Sequence, residues 1–301
     1  MGMTPARLRA YQQICDPRSG RMLVVAMDQR ASMRSLIQVP GGEASADDLV
    51  AAKLDLVAHL GNVAPGVLLD PSTVVPRVIT DGILARDCAL VIGMDASGYD
   101  TDAAGLRMSR IVDGVDARRV RALGGTAAKL NVYMRPDREG MGSHPARMIA
   151  ETVADCERED VLLVVEILTY ALEGESAADH KAKAPELVVR AAEIARDCGA
   201  EVMKLQHPGS ADACRAVTAA LGGIPWAVLS GGVDHETFLG HLQVALDGGA
   251  SGAIAGRSVW KDCLYGDRER TAQALRERGV PRLEADRKST RLNSSHGYIS
   301  Y

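Results

Sequence analysis

Short apolar runs recur along the chain, each bounded by turn-forming residues and followed by a longer stretch with helical spacing. The runs are MLVVAMD (22–28), GVLLDP (66–71), ALVIGM (89–94), AAKLNVYM (127–134), LLVVEIL (162–168), EVMKLQ (201–206), WAVLSGG (226–232) and GAIAGR (252–257). Hydrophobicity that is continuous rather than alternating predicts strands buried on both faces. Between them, SADDLVAAKLDLVAHLG (45–61) opens with a Ser45/Asp48 capping pattern and keeps Leu49, Leu56, Val57 and Leu60 on one face, which predicts a helix. VDHETFLGHLQVALDGG (233–249) starts at Asp234, spaces Phe238, Leu242 and Leu246 helically and stops at Gly248-Gly249. Strands alternating with helices in this number predict an α/β protein, a closed parallel (β/α)8 TIM barrel in a single domain over residues 1–288. A doubly wound open sheet is the competing topology, but no Gly-x-Gly-x-x-Gly follows the first strand.

Two segments fall outside this pattern. DASGYDTDAAGLRMSR (95–110) reads as a long Gly/Asp-rich loop after the third strand, on the face where such barrels build their sites. STRLNSSHGYISY (289–301) is polar and Ser-rich, has neither periodicity, and is similar to a translated adapter sequence; it is expected to be a non-native, disordered tail outside the fold.

Composition narrows the possible partners. The 301 residues are 47% hydrophobic and 25% charged, enough for a sizeable core. A net charge of −4 without a basic block argues against nucleic acid, so any phosphate recognition is local. No run approaches the roughly 20 apolar residues that span a bilayer, and MGMTPARLRAYQQ lacks the apolar centre of a secretory signal, so the expectation is a cytoplasmic protein with no membrane partner. Cys15, Cys88, Cys156, Cys198, Cys214 and Cys263 are scattered with no Cys-x-x-Cys pair, which predicts reduced, packed thiols.

Polar residues embedded in apolar runs are the informative ones, because a barrel of this type takes its catalytic groups from the C-terminal ends of several strands. The first run ends in Asp28-Gln29-Arg30, the fourth carries Lys129, the fifth Glu166, the sixth Lys204, the seventh Ser230-Gly231-Gly232 and the eighth Gly256-Arg257. Any one of them is explained by an interior ion pair or a strand-end cap. Jointly, two lysines and two acids on four strands point to imine catalysis. A lysine attacks a carbonyl only as the free amine, and a second ammonium nearby lowers its pKa. Lys129 and Lys204 can stand in that relation, Glu166 on the intervening strand is placed to move protons, and Asp28 can polarise a hydroxyl or hold an ammonium. The small residues of LSGGV and IAGRSVW suggest a phosphate cradle, with Arg257 as a bidentate partner; two tight turns and a surface arginine are the alternative.

With these residues in place, the chain resembles the class I tagatose-1,6-bisphosphate aldolases and their relatives, the sulfofructose-phosphate aldolases. The stretches that carry the resemblance are AMDQRASMR, VLLDP, SGYD, AAKLNVYMRPD, LLVVEILTY, EVMKLQHP, PWAVLSGGVDHETF and GASGAIAGRSVW, in order through about residues 22 to 260. The resemblance implies a (β/α)8 fold and reversible cleavage of a ketose 1-phosphate to dihydroxyacetone phosphate and a three-carbon aldehyde, with no metal and no cofactor. It implies Lys204 as the Schiff-base residue and Glu166 as the main acid/base, with Asp28 and Lys129 orienting and tuning the site. Ser230, Gly231, Gly232, Gly256 and Arg257 would hold the C1 phosphate, and Gln29, Arg30 and Gln206 would contact substrate. One departure stands out. The family follows the lysine with a Val-Glu pair; here it is Leu205-Gln206, then His207, so an acid at the barrel mouth has become a neutral amide.

The expected substrate is tagatose 1,6-bisphosphate, with 6-deoxy-6-sulfofructose 1-phosphate as the alternative and a catalytically weak sugar-phosphate-binding regulator as the alternative of another class. Arg30, Arg34, Arg107 and Arg110 are the candidates for the anion at the far end. A metal-dependent enzyme would need clustered ligands, whereas His59, His144, His180, His207, His235 and His241 fall mostly in helical or loop segments. A regulator would keep the Ser230/Arg257 cradle while losing the lysine or the acid, and both are present. The reading leaves a homo-oligomer open.

Overall fold

The computed structural model describes residues 2–292. Each of the eight apolar runs contains one barrel strand: β1 (Met22–Ala26), β2 (Gly66–Leu69), β3 (Ala89–Gly93), β6 (Ala127–Tyr133), β7 (Leu162–Leu168), β8 (Val202–Leu205), β9 (Trp226–Leu229) and β10 (Gly252–Ala255). They close in the order β1-β10-β9-β8-β7-β6-β3-β2, all neighbours parallel. All but β7 are shorter than their runs. Asp28, Asp70, Asp95, Ser230 and Gly256 therefore lie just past strand ends, where loops and helix starts converge.

Strand alternation sorts the side chains into two apolar groups. Met22, Val24, Ala26, Leu68, Ala89, Val91, Ala127, Leu162, Val164, Val202, Ala227 and Ile254 pack together inside the barrel. Leu23, Val25, Val67, Leu69, Leu90, Ile92, Ala128, Leu130, Leu163, Val165, Met203 and Val228 point outward into the larger core shared with the helices. Two-sided burial is why the runs read as continuous. The helix Ala46–Leu60 starts with the expected capping box, Ser45 Oγ accepting from Asp48 N at 3.1 Å and Asp48 Oδ2 accepting from Ser45 N at 2.7 Å. Asp234 caps the helix His235–Asp247 through Thr237 N at 2.9 Å, and the helix ends at Gly248. Among the described residues no helix is long and apolar enough to cross a membrane. The six cysteines are free, all buried except the half-buried Cys198.

Two expectations need correction. The stretch 95–110 is not loop throughout: β4 (Asp100–Thr101) and β5 (Arg107–Met108) form a small antiparallel hairpin over the barrel mouth. Nor does the fold stop at residue 288. The helix Val280–Leu292 runs through 289–292 because Leu283, Asp286 and Thr290 are buried at helical spacing, and polar residues at the last two of these positions hide the period from a hydropathy reading. The rest of the expected tail lies outside the described residues.

Barrel closure depends on one glycine. Gly252 has φ +149°, and a Cβ there would sit 2.0 Å from the Met22 carbonyl oxygen across the β1–β10 seam. Gly252→Ala should therefore cost about 3 kcal/mol or more, because both backbone strain and overpacking oppose it. By contrast, exposed Gly240 in the helix His235–Asp247 has nothing within 4 Å of an added Cβ, and Gly240→Ala should gain roughly 0.8–1.0 kcal/mol. Urea unfolding of both variants checks the pair; equal midpoints would contradict this account of the seam.

Candidate active site

The inward register that buries Ala127 and Val164 low in the barrel brings Lys129 and Glu166 to its upper layer, two residues further along each strand. Val202 is followed in the same way by Lys204, Ala26 by Asp28, and Gly93 by Asp95. Lys129, Glu166 and Lys204 are only 3%, 7% and 4% exposed, so their charges must be matched inside the barrel. Lys129 Nζ lies 2.9 Å from Asp28 Oδ2, 2.9 Å from Asp95 Oδ1 and 2.9 Å from Glu166 Oε2. The same Glu166 oxygen lies 2.9 Å from Lys204 Nζ, which is its register partner on the next strand. One carboxylate oxygen thus bridges the two amines.

The two lysines are not equivalent. Burial pulls the Lys129 ammonium down, but Asp28, Asp95 and Glu166 outweigh it and hold Lys129 well above the ordinary lysine value. It stays charged. Burial pushes the Glu166 carboxyl up, and Lys129 and Lys204 together reverse this, leaving it below the usual range. Asp28 behaves alike, burial being overcome by Lys129 and then Lys204 to bring it to about 2. Asp95 goes the other way. Burial raises it, and repulsion from Asp28 and Glu166 cancels part of what Lys129 offers. Next to this group the helix Ala46–Leu60 contributes Lys53, fully buried and ion-paired to buried Asp70 at the end of β2; Asp70 also accepts from Thr73 N at 2.9 Å.

A cavity of about 260 Å³ opens above these charges, lined by Glu166, Lys204, Gln29, Tyr133, Arg107 and the expected cradle residues, among others. Ser230, Gly231, Gly232, Gly256 and Arg257 all line it. Ser230 Oγ accepts from Gly256 N at 3.3 Å, which ties the β9 loop to the β10 loop. Gly231 and Gly232 have φ +60° and +83°, and the Arg257 guanidinium lies so close over Gly232 that an added Cβ would meet its Cζ at 3.0 Å. Lys261 Nζ donates to the Gly232 carbonyl at 2.7 Å and fixes the turn from outside. Gln29 Oε1 is buried without a partner among the described residues.

The far side differs from expectation. Arg30 does not line the cavity: its guanidinium donates to Ser97 Oγ at 2.8 Å and to the Asp95 carbonyl at 2.6 Å, so it braces the loop that presents Asp95. Arg34 is exposed and outside the cavity, and Arg110 pairs with Asp100 at 3.4 Å. Of the four arginines only Arg107 reaches the cavity. Gln206 lines it as well, its Oε1 accepting from Thr169 N at 2.8 Å and Thr169 Oγ1 at 2.9 Å. His207 is a turn residue whose ring stacks on His241 with centroids 4.3 Å apart.

Sequence reasoning missed Asp95 and Tyr133. Asp95 looks like the first residue of a flexible loop, yet it is two positions past Gly93 and so keeps the inward register; extending the alternation beyond the apolar run would have found it. Tyr133 is reached the same way, four positions beyond Lys129.

A family model described as DeoC/LacD family aldolase matches residues 22–262. The tagatose 1,6-diphosphate aldolase of Staphylococcus epidermidis (strain ATCC 12228 / FDA PCI 1200) is 26% identical over 285 residues, covering 86% of this chain and 86% of that protein. That of Listeria monocytogenes serotype 4b (strain CLIP80459) is 26% identical over 302 residues, covering 91% of this chain and 87% of the other. Among solved structures, an archaeal fructose 1,6-bisphosphate aldolase superposes with a TM-score of 0.60 at 20% identity, covering 91% of this chain and 99% of that one. A fructose-bisphosphate aldolase from Slackia heliotrinireducens DSM 20476 gives 0.63 at 18% identity, with 99% and 94% covered. At such identities the structural likeness speaks for the barrel alone.

The charge cluster has a signature in acid. Asp28, at about 2 in the folded protein, lies below the roughly 3.9 of an unfolded aspartate, so its contribution to stability is present above about pH 4 and is lost as pH falls toward 2. Asp28→Asn should flatten the decline of the urea midpoint across that interval. Parallel curves for the two proteins would show that Asp28 carries no such linkage.

Proposed function

This chain belongs to the DeoC/LacD family of aldolases, carbon–carbon lyases, and from that premise we propose a class I mechanism with Lys204 as the Schiff-base residue. The observation that supports it best is the shared oxygen: Glu166 Oε2 touches Lys204 Nζ and Lys129 Nζ at 2.9 Å each. Proton transfer from Lys204 to Glu166 gives a free amine and a protonated acid in contact. The amine adds to the C2 carbonyl of a ketose 1-phosphate, and the acid returns the proton to the carbinolamine hydroxyl, which leaves as water. Glu166, again a carboxylate, takes the C4 hydroxyl proton. The C3–C4 bond then breaks, its electron pair passing into the enamine on Lys204 while the aldehyde departs. Protonation at C3 and addition of water release dihydroxyacetone phosphate. Throughout, Lys129 remains an ammonium that keeps Glu166 in place. Ser230, Gly231, Gly232, Gly256 and Arg257 hold the C1 phosphate beside the reacting carbon.

The substrate we propose is a small-molecule sugar phosphate, tagatose 1,6-bisphosphate, cleaved to dihydroxyacetone phosphate and glyceraldehyde 3-phosphate. The tagatose 1,6-diphosphate aldolase activity of the relatives supports this choice. A non-catalytic regulator has no use for an amine and an acid at contact distance, so the cluster favours turnover.

Borohydride reduction with dihydroxyacetone phosphate, followed by peptide mapping, should place a stable adduct on Lys204. An adduct on Lys129 would reverse the two roles, and none on either would end the Schiff-base mechanism. Glu166→Gln keeps shape but cannot transfer the proton, so kcat should fall by about 10²- to 10⁴-fold. Turnover within a few-fold of the unaltered enzyme would assign the acid/base role elsewhere.

A further inference from the structure

Two guanidinium groups line the cavity, Arg257 and Arg107. The second has no place in the mechanism so far. Arg107 stands on β5 of the hairpin over the mouth, its backbone N–H donating to Tyr170 Oη at 2.9 Å. Its guanidinium carbon lies 4.3 Å from the ring centroid of Tyr99, 5.3 Å from that of Tyr133 and 4.4 Å from that of Tyr170. The rings pack edge to face, Tyr99 on Tyr133 at 5.0 Å and Tyr133 on Tyr170 at 6.1 Å. Tyr170 is fixed from behind by buried Arg135, which donates to its carbonyl at 2.8 Å.

What the cage omits matters most. Arg135 is neutralised by Asp137 and Glu175, whereas no carboxylate or carbonyl among the described residues takes an N–H of the Arg107 guanidinium. π-Faces hold the cation in place but use none of its planar donors, so the fork remains available to a ligand. The neighbouring Gln206 adds to this. Because its Oε1 accepts from Thr169 N–H, the amide cannot be turned round, and the end left over is the NH2 donor. A carboxylate at 206 would repel an anion there; the amide does not.

Barrel order supplies the geometry. Around the ring β10, β9, β8, β7 and β6 are consecutive. The β9 and β10 loops carry the Ser230 and Arg257 cradle, β8 carries Lys204, and of the tyrosines beneath Arg107, Tyr133 ends β6 and Tyr170 lies two residues past β7. Lys204 lies between two anion-binding ends. We infer that Arg107, held by Tyr99, Tyr133 and Tyr170 and assisted by the Gln206 amide, is the specificity-determining residue that binds a terminal oxyanion at the far end of the substrate. This rests on the reading of Lys204 and Arg257 given above. Phosphate and sulfonate offer the same oxygen face to a guanidinium, so the substrate arms must separate them.

The experiment compares Arg107→Met and Gln206→Glu with the unaltered enzyme on tagatose 1,6-bisphosphate, 6-deoxy-6-sulfofructose 1-phosphate and fructose 1-phosphate, which has no far anion. Arg107→Met should lower kcat/KM by about 100-fold or more on the preferred doubly anionic substrate and by less than about 3-fold on fructose 1-phosphate. Gln206→Glu should follow the same pattern more weakly. Borohydride trapping with dihydroxyacetone phosphate should survive in both variants. Equal losses on all three substrates, or no loss on any, would overturn the inference. Glucitol 1,6-bisphosphate has no carbonyl and forms no imine, so its calorimetric Kd reads the subsite without turnover, and it should weaken by about 10-fold or more in Arg107→Met. If the unaltered enzyme traps no adduct while this weakening is seen, the Schiff-base reading fails and the far-end subsite stands. An unchanged Kd would remove the subsite.

Discussion

The ammonium of Lys129, surrounded by Asp28, Asp95 and Glu166 at 2.9 Å each, is the charge on which the upper half of the barrel is organised. Taking an ion out of water costs several kcal/mol, and only close, well-directed partners offset it. Two strands, β6 and β7, and the segments just past two others, β1 and β3, must therefore meet around one nitrogen. Removing Lys129 would leave one buried and two half-buried carboxylates facing one another. Replacing any one carboxylate would loosen the grip on the other two. Of the three acids only Asp95 has its carboxyl raised, by burial and by repulsion from Asp28 and Glu166, where its neighbours are lowered.

From this arrangement comes the asymmetry that the chemistry needs. Lys129 has three carboxylate partners and Lys204 has one, although both are buried lysines on barrel strands. In the mechanism we propose, the amine held by a single acid is the nucleophile. The other works as a fixed charge. On that proposal, electrostatic confinement of Lys129 connects the packing of the barrel to the choice of nucleophile, and the shared Glu166 oxygen is the link between them. In the proposed reading, the loops after β9 and β10 and the hairpin that carries Arg107 lie on either side of Lys204.

Much of this was legible in the chain. Two-sided burial makes barrel strands continuous apolar runs, so all eight were readable, and the Ser45 and Asp234 caps fixed the helix starts. Lys129, Glu166 and Lys204 stood out because a charge inside such a run has no packing rationale. Asp95 did not stand out, because it follows its strand in a Gly/Asp-rich stretch where an acid is unremarkable. The arginines were harder still. Arg30, Arg34, Arg107 and Arg110 look alike in sequence, and what separates them is which partner each meets in space: Arg30 is spent on the Asp95 loop, Arg110 on Asp100, and only Arg107 enters the cavity, among tyrosines from three separate segments. Contacts across such distances leave no local pattern. The helical turn at 289–292 was hidden for a simpler reason, a buried threonine where a hydrophobic residue was sought.

Three carboxylates lock Lys129 as an ammonium. Carbon-13 NMR of lysine labelled at Cε, with the Lys129 signal assigned by Lys129→Arg, follows that protonation state directly across pH. A locked ammonium should give a Lys129 resonance that keeps its protonated shift through pH 10 and beyond, past the roughly 10.4 of an ordinary lysine. A Lys129 signal that titrates near neutral pH would contradict it, and would make Lys129 the free amine of the pair.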